Sequence, residues 1–224
     1  METKAFFESV VNEYDDFILQ VVPTYPDLIW ALFYYLPQDL NPKHVVDLGC
    51  GTGNITQAVH HTFPQARITC VDEASGMLNQ TAKKVDPTHL NFVEAHFNDL
   101  MLPPERFGLV VSNLAVHHIT DDEKQALVKK IYDWLAPGGV FAISDGFRAK
   151  DEALHQRELD LWGELVLDAG MDPKDWAEAE KHRKAHDLYA NDRDFCQWCL
   201  EAGFASADMV FRKGVWGVIH ARKA

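Results

Sequence analysis

The segment with the clearest chemical purpose is Asp47-Leu48-Gly49-Cys50-Gly51-Thr52-Gly53-Asn54, three glycines at alternate positions behind an acid. Glycines at a strand-to-helix turn let backbone N–H groups close on a ligand, and the following helix N-terminus adds partial positive charge. The dinucleotide pattern G-x-G-x-x-G needs a glycine at position 54, where Asn54 stands, and the Gly-Lys-Ser/Thr ending of a phosphate loop is missing. Proton-handling groups follow at Asn113-Leu114-Ala115-Val116-His117-His118 and at Asp145. His117 or His118 can act as a base near neutral pH or order its loop, and Asp145 can hold an amine, accept a proton or cap local backbone. His182 and His186, four apart, could meet a metal with His155 or Asp187. Lys181, Arg183 and Lys184 interleave them, so a solvated helix face is expected and no metal is assigned. Cys196-Gln197-Trp198-Cys199 has redox spacing but sits mid-helix, which reads as core packing.

These residues need elements that carry them to one edge. Apolar residues at Phe7, Val11, Tyr14, Ile18 and Val21 predict an amphipathic helix over residues 6–22, and residues 28–36 predict a second after the break at Pro23-Thr24-Tyr25-Pro26. Strands are predicted at 44–48, 66–71, 90–93, 109–111 and 140–144, with helices between them on the faces of Ile55, Val59 and Phe63, from Met77, and from Thr120 to Leu135. Thr120 and Glu123 form a capping box. Alternation of this kind implies right-handed crossovers and a mainly parallel sheet covered on both faces. After Asp145 come a helical stretch over residues 151–168 and a second from Asp172-Pro173, a lid candidate. A last helix over 191–202 then leads to two runs, 206–212 and 215–222, at hairpin spacing.

At 224 residues, 47% hydrophobic and 25% charged, the chain fits one globular domain. With 34 acidic against 21 basic residues and a net charge of -13, phosphate gripping by clustered cations starts at a disadvantage, so nucleic acid is not the expected partner. Four cysteines do not make a disulfide framework, and no signal segment is read at Met1-Glu2-Thr3-Lys4. The apolar stretches break at Gln20, Pro23 and Pro26, well short of the roughly 20 residues of a membrane span. A cytoplasmic protein without a membrane partner is expected.

The spacing acid-x-Gly-x-Gly-x-Gly at 47, 49, 51 and 53 resembles the first motif of class I S-adenosylmethionine (SAM) dependent methyltransferases. Val71-Asp72 matches the family's ribose-binding acid, Met77-Leu78 its adenine-packing pair, and Phe107-Gly108-Leu109-Val110-Val111-Ser112-Asn113-Leu114 its fourth-strand motif. Leu135-Ala136-Pro137-Gly138-Gly139 matches the turn before its fifth strand. Departures are His96 where an acid is usual, Phe97 where a small residue is usual, and Gly108 for the common Asp. Tyr14-Asp15 and Val22-Pro23-Thr24-Tyr25 resemble the amino-terminal cap of a subgroup that includes the carboxy-SAM synthases.

The resemblance implies an α/β, Rossmann-like fold of seven strands in the order 3-2-1-4-5-7-6, mainly parallel with an antiparallel last strand. It comprises a helical cap (1–40), a cofactor core (41–146), a helical lid insertion after strand five (147–190) and a last helix with terminal hairpin (191–224). It implies SAM as cofactor and S-adenosylhomocysteine (SAH) as product, with contacts from Tyr14, Asp47, Gly49, Cys50, Gly51, Gly53, Asp72, Glu73, Met77, His96, Phe97, Asn113 and Leu114. The expected reaction is methyl transfer to a nitrogen or oxygen of a small molecule, with His117, His118 and Asp145 as the acid–base candidates. The acidic balance and Phe17, Tyr34, Tyr35, Trp162 and Trp176 point to an amine or aromatic acceptor. The alternatives are chemistry on SAM itself, with Arg148 or Arg157 gripping an anionic second substrate, and a non-catalytic SAM-binding partner or sensor.

Overall fold

The computed structural model describes residues 4, 5, 7, 8, 11 and 13–224. Phe6, at the start of the expected first helix, lies outside them. Two helices, α1 (Tyr14–Val21) and α2 (Tyr25–Tyr34), meet at 92°, and among the described residues no single helix is long and apolar enough to cross a membrane. α2 begins earlier than predicted. Pro26 stands in its first turn, where a missing N–H costs nothing, so the proline starts the helix instead of blocking it.

Strand and helix then alternate as β1 (His44–Leu48), α3 (Asn54–Thr62), β2 (Arg67–Asp72), α4 (Ser75–Lys84), β3 (Leu90–Glu94), β4 (Phe107–Asn113), α5 (Asp121–Trp134) and β5 (Leu135–Arg148). Two further helices, α6 (Glu152–Asp168) and α7 (Pro173–His186), pack on each other before β6 (Ala190–Asn191), α8 (Asp192–Ala202), β7 (Ser206–Lys213) and β8 (Trp216–Arg222). The sheet order is β3-β2-β1-β4-β5-β8-β7, parallel as far as β5, with β8 antiparallel to both neighbours. This is the expected path with one addition. The two-residue β6 pairs parallel to the end of β5, which makes eight strands instead of seven. β5 also runs past the predicted Ser144 to Arg148, because β8 and β6 supply ladder partners as far as its end.

Side-chain alternation along the strands builds two cores, one on each face. Val45, Leu109, Val140 and Val218 point to the side covered by Ile18, Leu28, Leu32, Ile55 and Val59. Val46, Val110, Phe141 and Ile219 point to the side covered by Leu127 and Ile131 of α5 and Phe195 and Cys199 of α8. Four helices start at their expected caps: Thr120 and Glu123 make the reciprocal capping box of α5, and Asp151, Asp172 and Asn191 cap α6, α7 and α8. Cys199 is buried in α8, and burial pushes the Cys196 thiol up to about 11, so neither is poised for redox chemistry.

Candidate active site

In an open parallel sheet the strand ends that face a common crevice are the carboxyl ends, and here β1, β2 and β4 deliver the glycine loop, Asp72 and Asn113-Leu114 to one cleft of about 300 Å³. Gly49 N and Cys50 N donate to Val71 O at 2.8 and 2.9 Å, which pins the loop to β2. Gly49 has φ +69°, and a Cβ there would lie 2.3 Å from Ala115 Cβ, so only glycine lets the loop pass the chain leaving β4. Gly53, with φ +90°, turns the chain into α3.

Asp72 accepts from Gly51 N through Oδ2 and from Ala74 N through Oδ1, both at 2.9 Å, so its carboxylate is fixed at the end of β2. Burial raises its pKa against the pull of those two amides. Glu73, Met77, Ala95, His96, Phe97, Asn113, Leu114 and Ala115 complete the walls with Tyr14 and Phe7. Leu114 holds a left-handed φ of +50°, anchored by Leu114 N donating to Ser144 O at 2.9 Å. Ala115, Ile119 and Glu123 also line the cleft; nothing local marked them in the sequence, because they follow from how the chain leaves β4.

Of the thirteen residues expected around a cofactor, ten line this cleft; Asp47, Cys50 and Gly53 stand behind it. Gly53 packs on Thr81, and Cys50 is buried within 3.8 Å of Thr81 Oγ1. Asp47 is fully buried and accepts from Thr56 Oγ1 at 2.6 Å, so it braces the loop from beneath. Burial pushes its carboxyl up to about 7, with the Thr56 hydroxyl opposing and Asp72 adding to the rise; Tyr25 and Cys50 in turn feel its charge. Between about pH 4 and pH 7 the folded chain therefore keeps a proton that the unfolded chain has released. Stability falls as pH rises through that window and this contribution is flat above it. In Asp47→Asn, the unfolding free energy measured in urea is expected to decline less from pH 5 to pH 7.5 than in the parent chain.

Asn54, which broke the dinucleotide pattern, has its own task. Its amide donates to Asp15 Oδ1 at 3.0 Å and to Tyr25 OH at 3.2 Å, and its carbonyl accepts from Lys84 Nζ at 2.6 Å. Thr52 Oγ1 and Lys84 Nζ both donate to Asp15 at 2.5 Å. This network ties α1 to the glycine loop and to α4, which holds Tyr14 over the cleft.

A second cavity of about 640 Å³ adjoins the first and shares Phe7, Tyr14, Leu114 and His118 with it. Phe17, Ile18 and Val21 of α1, Trp162 of α6, Met171 and Trp216 supply its apolar walls. Glu13, Asp175, Glu178 and Asp187 give it an acidic lining, against Lys181 and Arg183. Arg183 is committed to Glu180 at 3.3 Å and to the Trp162 ring at 6.0 Å. Trp162 Nε1 donates to Val21 O at 2.6 Å and so fastens α6 to the end of α1, while Trp176 packs edge-on against Trp162. Tyr34 and Tyr35 depart from expectation. They lie exposed at the outer end of α2, Tyr34 stacked on Trp30 and Tyr35 edge-on to it, and line neither cavity.

The histidines diverge. His117 is buried with Nδ1 hydrogen-bonded to Asp145 Oδ1 and Nε2 3.8 Å from Asp187 Oδ1. Burial alone would lower its pKa, but the Asp145 and Asp187 carboxylates outweigh it and raise it to about 9. His118 is held well below the usual histidine range by burial and by the charge of His117. Asp145 lines neither cavity. Its oxygens accept from Val116 N, His117 N and Gly146 N at 3.1, 3.1 and 2.7 Å, and from the His117 ring. Asp145 thus braces His117 and its turn, which is the capping role among those open to it.

A Rossmann-like sheet with a glycine loop, a strand-end carboxylate and an apolar base pocket defines a nucleoside-cofactor protein. A methyltransferase-domain family model matches residues 45–139. The carboxy-S-adenosyl-L-methionine synthase of Aeromonas salmonicida is 32% identical over 170 residues, 73% of this chain and 66% of that protein, so the chain spans just under two thirds of its length. The synthase of the same name from Citrobacter koseri is 31% identical over 176 residues, 75% of this chain and 67% of that protein. The solved DhpI–SAH complex shares the fold with a TM-score of 0.69 at 15% identity, covering 99% of this chain and 95% of that one. The chain belongs to the class I SAM-dependent methyltransferases, and its cofactor is SAM. The site fits that group: the Asp72 and Glu73 carboxylates suit the ribose hydroxyls, Met77, Ala95 and Phe97 the adenine faces, and the open space before Gly51 leaves backbone accessible to the charged tail.

Proposed function

We propose that this chain catalyses methyl transfer from SAM to a nitrogen, oxygen or other heteroatom of a small molecule seated in the second cavity. The observation that carries the reading is the junction of the two cavities at Phe7, Tyr14, Leu114 and His118, which brings a cofactor cleft and an acceptor-sized space onto the same four side chains. SAM supplies an electrophilic methyl on a sulfonium. The chain's own residues must then orient the acceptor, exclude water and deal with its proton. Tyr14 and Leu114 form the boundary between the two spaces, α1 and α7 cover the acceptor side, and the His117–His118 pair is the acceptor-activating element. Phe17, Trp162 and Trp216 favour an aromatic or apolar body, and the buried Trp216 Nε1 has no hydrogen-bond partner, so a donor is free for a polar group on the acceptor.

The likeness to carboxy-SAM synthases supports a second reading, formation of a carboxylated SAM from an anionic co-substrate. That reaction needs a cation beside the cofactor, and Arg148 and Arg157 are exposed and line neither cavity. Incubating the protein with SAM and a panel of phenols, thiols and amines is expected to yield SAH and a methylated acceptor by mass spectrometry. A SAM derivative heavier by one carboxyl group, formed with an anionic donor and without SAH, would overturn the first reading in favour of the second. SAH binding with neither product would leave a sensor.

A further inference from the structure

Three of the residues that meet in the second cavity come from two distant segments: His117 and His118 from the turn after β4, and Asp187 from the end of α7. Their ligand atoms lie within 4.8 Å of one another, with His117 Nε2 and His118 Nδ1 at 3.8 and 3.7 Å from Asp187 Oδ1. Tetrahedral ligands at about 2.0–2.1 Å from a zinc ion stand roughly 3.3–3.4 Å apart, so each histidine needs to close on Asp187 by only a few tenths of an ångström, and the two histidines on each other by at most about 1.4 Å.

Two of the three ligands are held from behind. Asp145 binds His117 Nδ1, which leaves Nε2 to face the cluster, and Tyr189 OH donates to Asp187 Oδ2 at 2.9 Å, which leaves Oδ1 to face it. Carboxylate-to-histidine support of this kind fixes ring orientation in metal sites. Leu188 N donates to His117 O at 2.7 Å, and buried Lys124 holds both Leu188 O and Asp121, so the Asp187 loop is latched onto the histidine turn. His118 Nδ1 is buried with no hydrogen-bond partner, which a structure tolerates where that atom has another use.

We propose that His117, His118 and Asp187 bind a divalent transition metal of zinc type, with the remaining position open to the second cavity. Two imidazoles and a carboxylate with an open position are the ligand set of catalytic rather than structural zinc. His182 and His186 line the same cavity, their rings 4.6 Å apart. An acceptor hydroxyl or thiol in the open position would release its proton to solvent more readily, which narrows the acceptor class to O–H and S–H compounds. That consequence rests on the methyl-transfer reading; metal binding itself does not.

The test is titration of chelator-treated full-length protein with Co2+, followed by visible absorption, with Zn2+ as competitor and SAH binding measured on the same samples. One Co2+ per chain with the intense bands of a four-coordinate site is expected. Asp187→Asn and His118→Gln should abolish them, and Tyr189→Phe should weaken binding about 10-fold or more. Far-UV circular dichroism checks that the variants fold. Independently of any variant, Zn2+ should shift the imaginable reporters directly, the His117 and His118 ring resonances in imidazole nitrogen–proton spectra of the parent chain. No cobalt bands, unmoved ring resonances, or bands that survive Asp187→Asn and vanish in Cys196→Ser would overturn the proposal. SAH binding that persists in such a result would leave the methyltransferase reading standing, and its loss alongside intact metal binding would do the reverse.

Discussion

Asp145→Ala is expected to destabilise the protein by about 3–5 kcal/mol, the cost of removing one partner of a buried ion pair. The carboxylate is 2% exposed and its four protein partners are three backbone amides and the His117 ring. Alanine would leave Val116 N, His117 N and Gly146 N short of their acceptor and a buried imidazole short of the charge that raises its pKa. Against a total stability of about 5–15 kcal/mol this is a large fraction, and for a chain of this size it corresponds to a melting temperature lower by roughly 6–20 °C. Urea unfolding of the two proteins at pH 7 checks it; a difference under about 1 kcal/mol would show that the turn at residues 116–118 stands without its brace. Loss of turnover in this variant would report folding, so it is no measure of a catalytic role for Asp145.

The bracing role of Asp145 bears on which parts of the molecule the sequence could disclose. The glycine loop, the capping box and the strand–helix alternation were legible because each is set by residues within one or two turns of chain. Asp72, Met77, His96 and Phe97, which line the cleft, were legible for a related reason, since each lies at or just past a strand whose end the pattern marks. Asn54 read only as a missing glycine, because its partners Asp15, Tyr25 and Lys84 are 39, 29 and 30 residues away. Lys124, on a helix whose neighbours are charged, carries no local sign of burial, yet it is 2% exposed because Leu188 O and Asp121 receive it. From sequence, Asp187 reads only as a companion of His182 and His186 on one helix. Its meeting with His117 depends on α6 and α7 folding back across the sheet edge, which no local spacing encodes. Tyr34 and Tyr35 were drawn toward the site by their segment, but the rotation of α2 puts Leu28, Ala31 and Leu32 on the core and turns the tyrosines outward.

The glycine loop yields the second large effect, because Gly49 and Gly51 both hold left-handed φ but face different surroundings. Gly49→Ala is expected to lose both stability and cofactor binding. Its φ of +69° costs an alanine about 1–2 kcal/mol, and a Cβ 2.3 Å from Ala115 Cβ and 3.4 Å from Phe97 Cζ forces the β1 loop and the chain after β4 apart, adding about 1–3 kcal/mol. The displaced wall includes Ala115 and Phe97, both in the cleft, so SAH affinity should fall by about 100-fold or more, or roughly 3 kcal/mol. Gly51→Ala has nothing within 4 Å of its Cβ at a φ of +53°. Its stability cost should stay near the backbone term of about 1–2 kcal/mol, yet its methyl projects where the loop faces the cleft and should also weaken SAH strongly. Calorimetric titration with SAH beside thermal melts separates the two: Gly49→Ala should lose in both measurements, Gly51→Ala mainly in binding. A Gly51→Ala protein that bound SAH like the parent chain would mean the ligand does not approach the loop at Gly51, and the Asp72 side of the cleft would have to carry the cofactor alone.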